Sequence, residues 1–229
     1  MIERILPPAV ASAEAFVDSP EATLFPEEQS IIARAVDRRR REFTTGRACA
    51  RSALAKLGVT PGPILRGERN APRWPAGIVG SITHCAGYRA AAVARAGELV
   101  GIGIDAEPNE PLPDGVLRAI ALPDEQVGLR ALPAGTAWDR LLFCAKEAIF
   151  KVWFPLTVLP LGFDGARVMI HPMRATFEAR LLVPSPNPLL PETLAGRWLA
   201  TSTHLLTAIA LPAGRESARP DGIGRVGIS

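Results

Sequence analysis

The sequence predicts an α+β fold built from two similar halves, and three observations point there. Amphipathic helical stretches are grouped apart from runs of short apolar strands. A Pro- and acid-rich break, EPNEPLPDG at 107–115, divides the chain. Val79-Gly-Ser-Ile-Thr-His84 is echoed by Ala200-Thr-Ser-Thr-His204, and each precedes an apolar run. The halves are placed at 1–110 and 111–212, followed by a loose tail at 213–229 that has few apolar anchors.

Pro26, Glu27 and Glu28 mark a helix start, with proline in the first turn and acids at the positive end of the dipole. A second helix runs from about Asp37 to Leu57 on Phe43, Ala50, Leu54 and Leu57, and Gly58 is its natural stop. Residues 61–75, rich in Pro, Gly and Arg, read as a long exposed loop of the kind that carries ligand contacts. Ile78–Ile82 and Arg89–Ala94 read as strands around a turn at Ala86-Gly87. Leu99–Ala106 is a further strand with Leu99, Gly101, Gly103 and Asp105 on one face. From Trp138 to Phe154 the stripe Trp138, Leu141, Leu142, Ala145, Ile149, Val152 and Trp153 predicts an amphipathic helix that Pro155 ends. Residues 166–183 suggest a hairpin, and Trp198–Leu211 a strand pair or one long strand.

Composition limits the function classes. With 229 residues, 48% hydrophobic and 21% charged, the chain can bury a sizeable core and is neither disordered nor fibrous. No apolar run reaches the ~18–20 residues of a membrane span, and MIERILPPAV lacks a signal-peptide core, so a cytoplasmic protein without a membrane partner is expected. Cys49, Cys85 and Cys144 are scattered and odd in number, which argues against a disulfide framework or a structural zinc site. The net charge of +3 hides a split. Residues 30–75 carry eleven Lys/Arg against three Asp/Glu, and residues 98–125 carry seven acids against one base. Such a pair of segments suits a polyanion held by arginines and bridged to carboxylates by a metal; solvated helix faces are the plain alternative. The cations are 23 Arg and 3 Lys, so the pair Lys146 and Lys151 stands out as a place that needs a compact charge.

Asp105 and Glu107 stand two apart at a strand end, so both carboxylates project to one face, the usual arrangement for Mg²⁺ beside phosphates. The glycines of GIGID suggest room for a ligand beside that strand. Glu147 and Lys151, at i and i+4, form either a surface ion pair, which spacing alone favours, or a third metal carboxylate with a phosphate-binding cation. Ser81, His84 and Asp105 invite a hydrolase triad, but no G-x-S-x-G elbow is present, and a histidine there can equally donate to a phosphate. Walker A and G-x-G-x-x-G sequences are missing as well. Within the run Arg38–Arg41, Arg39 lies two helical turns from Arg47 and shares its face. A nucleic-acid patch competes with this reading, but it lacks interleaved aromatics.

Four blocks, RRREFTTGRACARSAL (39–54), APRWPAGIVGSITHCAGY (71–88), GIGIDAE (101–107) and FCAKEAIFK (143–151), in this order resemble the Sfp-type 4′-phosphopantetheinyl transferases. Within that family they are most similar to the branch of enterobactin synthetase component D that serves siderophore, nonribosomal peptide and polyketide synthesis. The similarity spans about residues 25–155, with Cys144 where the family usually has Ser. The resemblance implies a pseudo-dimer of two α/β halves with the active site in the cleft between them, and a monomeric enzyme. It implies transfer of the phosphopantetheine arm of coenzyme A to a serine of an apo acyl or peptidyl carrier protein, with release of 3′,5′-ADP. Asp105, Glu107 and Glu147 would hold Mg²⁺, with Mn²⁺ as an alternative, and Glu147 would be the favoured general base. Lys151 would contact the reacting phosphate, and Lys146 would sit beside the coenzyme A phosphates. Arg39, Arg47 and His84 would bind the 3′-phosphate and nearby adenosine groups, Arg66 would supply a cation where the family often has Lys, and Ser81 would add a hydrogen bond. Acidic carrier domains would dock around residues 109–133.

Overall fold

Two antiparallel sheets and two long helices organise the computed structural model, which describes residues 1–214. The first sheet has the order β1 (Ala11–Ala15), β3 (Tyr88–Arg95), β2 (Ile78–Cys85). The second has the order β4 (Leu99–Pro108), β8 (His204–Pro212), β7 (Thr193–Ala200), β6 (Thr176–Leu181), β5 (Ala166–His171). Helix α2 (Asp37–Lys56) packs on β1 and β3, and helix α5 (Trp138–Thr157) packs on β4 and β8. Short helices α1 (Pro26–Gln29), α3 (Val116–Ile120) and α4 (Pro123–Arg130) precede the long ones. The chain is thus α+β. No described helix is long and apolar enough to cross a membrane. Most of the expected tail, residues 215–229, lies outside the described residues.

Alanine shapes the first layer. Ala90, Ala91, Ala92 and Ala94 of β3 are fully buried; Ala91 and Val93 face Ala50, Ala53 and Leu54 of α2, while Ala90, Ala92 and Ala94 face the other way. The other face of β3 joins Ile102, Ile104 and Leu206 in a cluster that fuses the two sheets. Around α5, Leu141, Leu142, Ile149, Val152 and Trp153 bury against Phe177, Leu194, Leu205 and Ile209. Each such side chain contributes about 1.5–3 kcal/mol of hydrophobic stabilisation. The two sheets meet along β2 and β4, where the Ser81 and Thr83 hydroxyls accept the Ile104 and Ala106 N–H groups at 3.1 and 3.0 Å. These hydroxyls replace the strand carbonyls that a continuous ladder would offer.

Several expectations need correction. Pro155 does not end the last helix; it sits inside it, and the helix continues to Thr157. A proline in the last turn forfeits a single hydrogen bond, and the Thr157 hydroxyl donates to the Trp153 carbonyl oxygen at 3.0 Å. β1, α3 and α4 were not expected. ASAEA has little strand propensity, and its pairing with β3 overrides that. The space left by Gly103 is not for a ligand. A Cβ there would come within 2.0 Å of the Ala148 carbonyl oxygen, so the glycine lets α5 lie directly on β4. The echo of VGSITH in ATSTH does not mark equivalent positions either: His84 lies within β2, whereas His204 opens β8, sets its ring at a tilt against Tyr88 and contacts the Ala86 carbonyl oxygen.

A different correspondence appears instead. Glu28, in Phe25-Pro-Glu-Glu-Gln29, caps α1 through the Phe25 N–H, accepts the Ile64 N–H at 2.8 Å and pairs with Arg51 of α2 at 3.0 Å. Glu125, in Leu122-Pro-Asp-Glu-Gln126, caps α4 through the Leu122 N–H, accepts the Val168 N–H at 2.7 Å and pairs with Lys146 of α5 at 2.8 Å. Each buried carboxylate ties a short helix, a long helix and a following segment of chain together.

Candidate active site

A cavity of about 540 Å³ lies between α2 with the loop after it, strand β2, and the inner face of α5. It brings together Arg39, Arg47, Arg66, Ser81, His84, Glu147 and Lys151. The spacing argument for α2 holds, because Arg39 and Arg47 both face the cavity. Arg38 pairs with Glu42, and Arg40 donates to the Ala33 and Ala35 carbonyl oxygens.

On the α2 side, Arg47 is buried and its Nε donates to the Ile64 carbonyl oxygen at 2.8 Å. Burial, together with neighbouring Arg66, Arg51 and Arg39, brings its pKa down to about 10 against the opposing pull of Glu28. Arg66 is lowered as well, by burial and by Arg39. Arg39 donates to Nε2 of His84, whose Nδ1 lies 3.6 Å from Glu42. An Nε2 that accepts from a guanidinium requires a neutral imidazole with its proton on Nδ1, toward Glu42. Burial and then Arg39 hold the His84 pKa down at about 4, which agrees with that tautomer. Convergence of like charges is unfavourable without an anion, so this wall is suited to a polyanion.

On the α5 side, Lys151 Nζ donates to Asp105 Oδ1 at 2.7 Å and to the Ile104 carbonyl oxygen at 3.0 Å. Thr83 also donates to Asp105 Oδ1, at 3.1 Å. Asp105 Oδ2 is buried without a hydrogen-bond partner. Burial and the Asp105 charge raise the pKa of Glu107 and of Glu147; Arg140, 3.0 Å from Glu107, opposes the first shift and Lys151 opposes both. The described residues contain no group of three or more His, Cys, Asp or Glu side chains placed to hold a metal ion. The orphaned Oδ2 is an unsatisfied buried acceptor of the kind that a cation would satisfy.

Two expected residues behave differently from the rest. Ser81 is buried, with its oxygen accepting from β4. Lys146 does not reach the main cavity. Its Nζ is held between Glu125 and the Phe163 carbonyl oxygen at 2.6 Å, because residue 146 projects from a different face of α5 than Glu147 and Lys151 do. It lines a second cavity of about 180 Å³, which touches Glu147 and Phe150 and is walled by Ile149, Leu161 and Phe163.

Three contributors were not singled out from sequence. Thr83 lies two residues from Ser81 on the same strand face, and Arg140 lies seven residues from Glu147 on the same helix face; these periodicities carried a signal for both. Phe43 read as a core position, yet its ring lies against Arg47 and Arg66 in the cavity wall.

Comparison with known proteins gives the family. The family model for the 4′-phosphopantetheinyl transferase N-terminal domain matches residues 27–94, and the 4′-phosphopantetheinyl transferase superfamily model matches residues 101–202. The chain is 50% identical over 235 residues to the 4′-phosphopantetheinyl transferase Svp of Streptomyces mobaraensis, covering 98% of this chain and 96% of the relative. It is 47% identical over 222 residues to the 4′-phosphopantetheinyl transferase PptT of Mycobacterium tuberculosis, covering 92% and 98% respectively. Similarity to the enterobactin synthase component D of Salmonella typhi is 31% over 176 residues, covering 76% and 72%. With relatives this similar along nearly its whole length, the chain belongs to the 4′-phosphopantetheinyl transferase family and is an enzyme of that class.

Proposed function

We propose that the enzyme cleaves coenzyme A at its pyrophosphate, transfers the 4′-phosphopantetheine arm to a serine of an apo acyl or peptidyl carrier protein, and releases 3′,5′-ADP. The observation that carries this reading is the cavity itself, with three arginines and His84 on one wall, and Glu147 and Lys151 on the other, where Lys151 ties the lining to Asp105 behind it. A substrate with several phosphates matches the first wall, and phosphoryl transfer matches the second.

In the transfer, the carrier serine oxygen forms a bond to the phosphorus that carries the pantetheine arm. The bridging P–O bond breaks, and its electron pair leaves with 3′,5′-ADP. Glu147 receives the serine proton; its partly buried carboxylate, raised by burial and by Asp105, is disposed to accept one. Asp105, Glu107 and Glu147 would hold Mg²⁺ or Mn²⁺, so Glu147 can serve as ligand, base or both. The bound ion would supply charge neutralisation at the pyrophosphate. Lys151 fixes Asp105 and places a cation beside the reacting phosphate. Arg39, Arg47, Arg66 and His84 orient the nucleotide end. The small cavity on the far side of Phe150 offers apolar walls for the neutral part of the arm. Lys146 is assigned to holding Glu125 rather than to binding phosphate.

The matching Glu28 and Glu125 arrangements support a duplicated architecture, a pseudo-dimer with the site in the cleft between its halves. Such a chain supplies both walls itself and needs no second copy. The test is incubation with Mg²⁺, coenzyme A and a panel of apo carrier proteins, read by mass spectrometry. One phosphopantetheine added per carrier is expected, absent without metal and absent in Glu147→Ala. A protein that fails to bind coenzyme A overturns the reading, and the carriers modified identify the pathway.

A further inference from the structure

Phe43 and Arg47 stand four residues apart on one face of α2, and the Arg47 guanidinium carbon lies 4.3 Å from the centre of the Phe43 ring. The Arg66 guanidinium reaches the same ring from the loop that follows α2, at 5.2 Å. That loop is a tight hairpin, in which Arg66 pairs with Pro72 and the Gly67 N–H donates to the Ala71 carbonyl oxygen at 2.7 Å. Among the described residues, Arg66 makes no salt bridge, and the ring is the contact at its head. Two like charges thus share one aromatic platform, and all three side chains line the large cavity.

We propose that Phe43 is a specificity-determining positioning residue, which holds Arg47 and Arg66 as a preassembled fork for the 3′-phosphate monoester of coenzyme A. The proposal rests on the coenzyme A reading above. Arg47 spends its Nε on the Ile64 carbonyl oxygen, with Glu28 4.0 Å away, and its terminal N–H groups remain for an anion; contact with the ring does not occupy such groups. The ring offsets part of the repulsion between the two cations. Of the anionic groups on coenzyme A, the reacting pyrophosphate belongs with Glu147 and Lys151. The 3′-monoester remains for the arginine wall.

The test compares binding of coenzyme A and 3′-dephospho-coenzyme A to the full chain by titration calorimetry. Wild type should prefer coenzyme A. Phe43→Leu should weaken coenzyme A by about tenfold while leaving 3′-dephospho-coenzyme A within about twofold. Phe43→Tyr, which keeps the ring, should retain the wild-type preference. Phe43→Met, closer in volume, repeats the test if Phe43→Leu folds poorly. Equal loss of both ligands makes Phe43 a packing residue and overturns the proposal, as does an unchanged preference in the aliphatic variants. A wild type that binds both ligands equally overturns it while coenzyme A transfer stands. A wild type that binds neither removes the functional reading and the proposal together.

Discussion

Lys151 Nζ lies 2.7 Å from Asp105 Oδ1, so one ammonium pins helix α5 to the end of β4 and fixes which carboxylate oxygen is taken. The other oxygen, Oδ2, is left buried and unpartnered. Asp105→Ala should therefore remove transfer by at least about 100-fold in kcat/KM, with the circular dichroism spectrum unchanged. Full activity in that variant would show that the metal does not depend on Asp105.

Chelation separates the two walls. With EDTA present, mass transfer to a carrier should vanish, while calorimetry should still detect coenzyme A through the arginine wall, with reduced affinity. Loss of all binding on chelation would mean that the arginines contribute little by themselves.

Lys146 and Glu125 are both almost fully buried. Lys146→Met leaves a buried carboxylate without its cation and should destabilise the fold by about 3–5 kcal/mol. Adding Glu125→Gln should recover part of that loss, which denaturant melts of the single and double variants would read. If Lys146→Met keeps its stability and loses coenzyme A affinity instead, the lysine acts on phosphate.

Gly103→Ala sets a methyl group within 2.0 Å of the Ala148 carbonyl oxygen. Helix α5 must lift from β4, carrying Glu147 and Lys151 with it. A stability loss of about 1–3 kcal/mol or more is expected, together with a loss of transfer larger than that destabilisation explains. Gly101→Ala, whose nearest contacts are side-chain carbons of Val152 and Leu156, should be the milder change.

His84 gives stability a defined pH dependence. Its folded pKa of about 4 lies below the ordinary 6.5, so between those values the unfolded chain binds a proton that the folded chain does not. Stability should fall as pH drops from 6.5 toward 4, and His84→Gln should flatten that slope in denaturant midpoints. An identical slope in both proteins would place the histidine in solvent.

Much of this molecule is legible in its sequence because periodicity and capping are local. The stripe from Trp138 to Trp153, the strands after Ile78 and Leu99, and the turn at Gly87 follow from spacing and residue type alone, and the structure has them. Three of the four sequence blocks bring Arg39, Arg47, His84, Glu147 and Lys151 to one cavity, and Arg66 joins them from the loop between the first two blocks. What depends on packing was not legible. An acid after a proline looks the same whether it caps a helix in solvent or, like Glu28 and Glu125, is buried between a helix and a backbone N–H. The partner of Lys146, the helix that fills the space at Gly103, the hydroxyl bridge from Ser81 and Thr83 to β4, and the ring that Arg47 shares with Arg66 all join residues distant in the chain. Local pattern sets which faces are apolar and which residues carry charge, and only the docking of the two sheets and two long helices decides which of those charges meet.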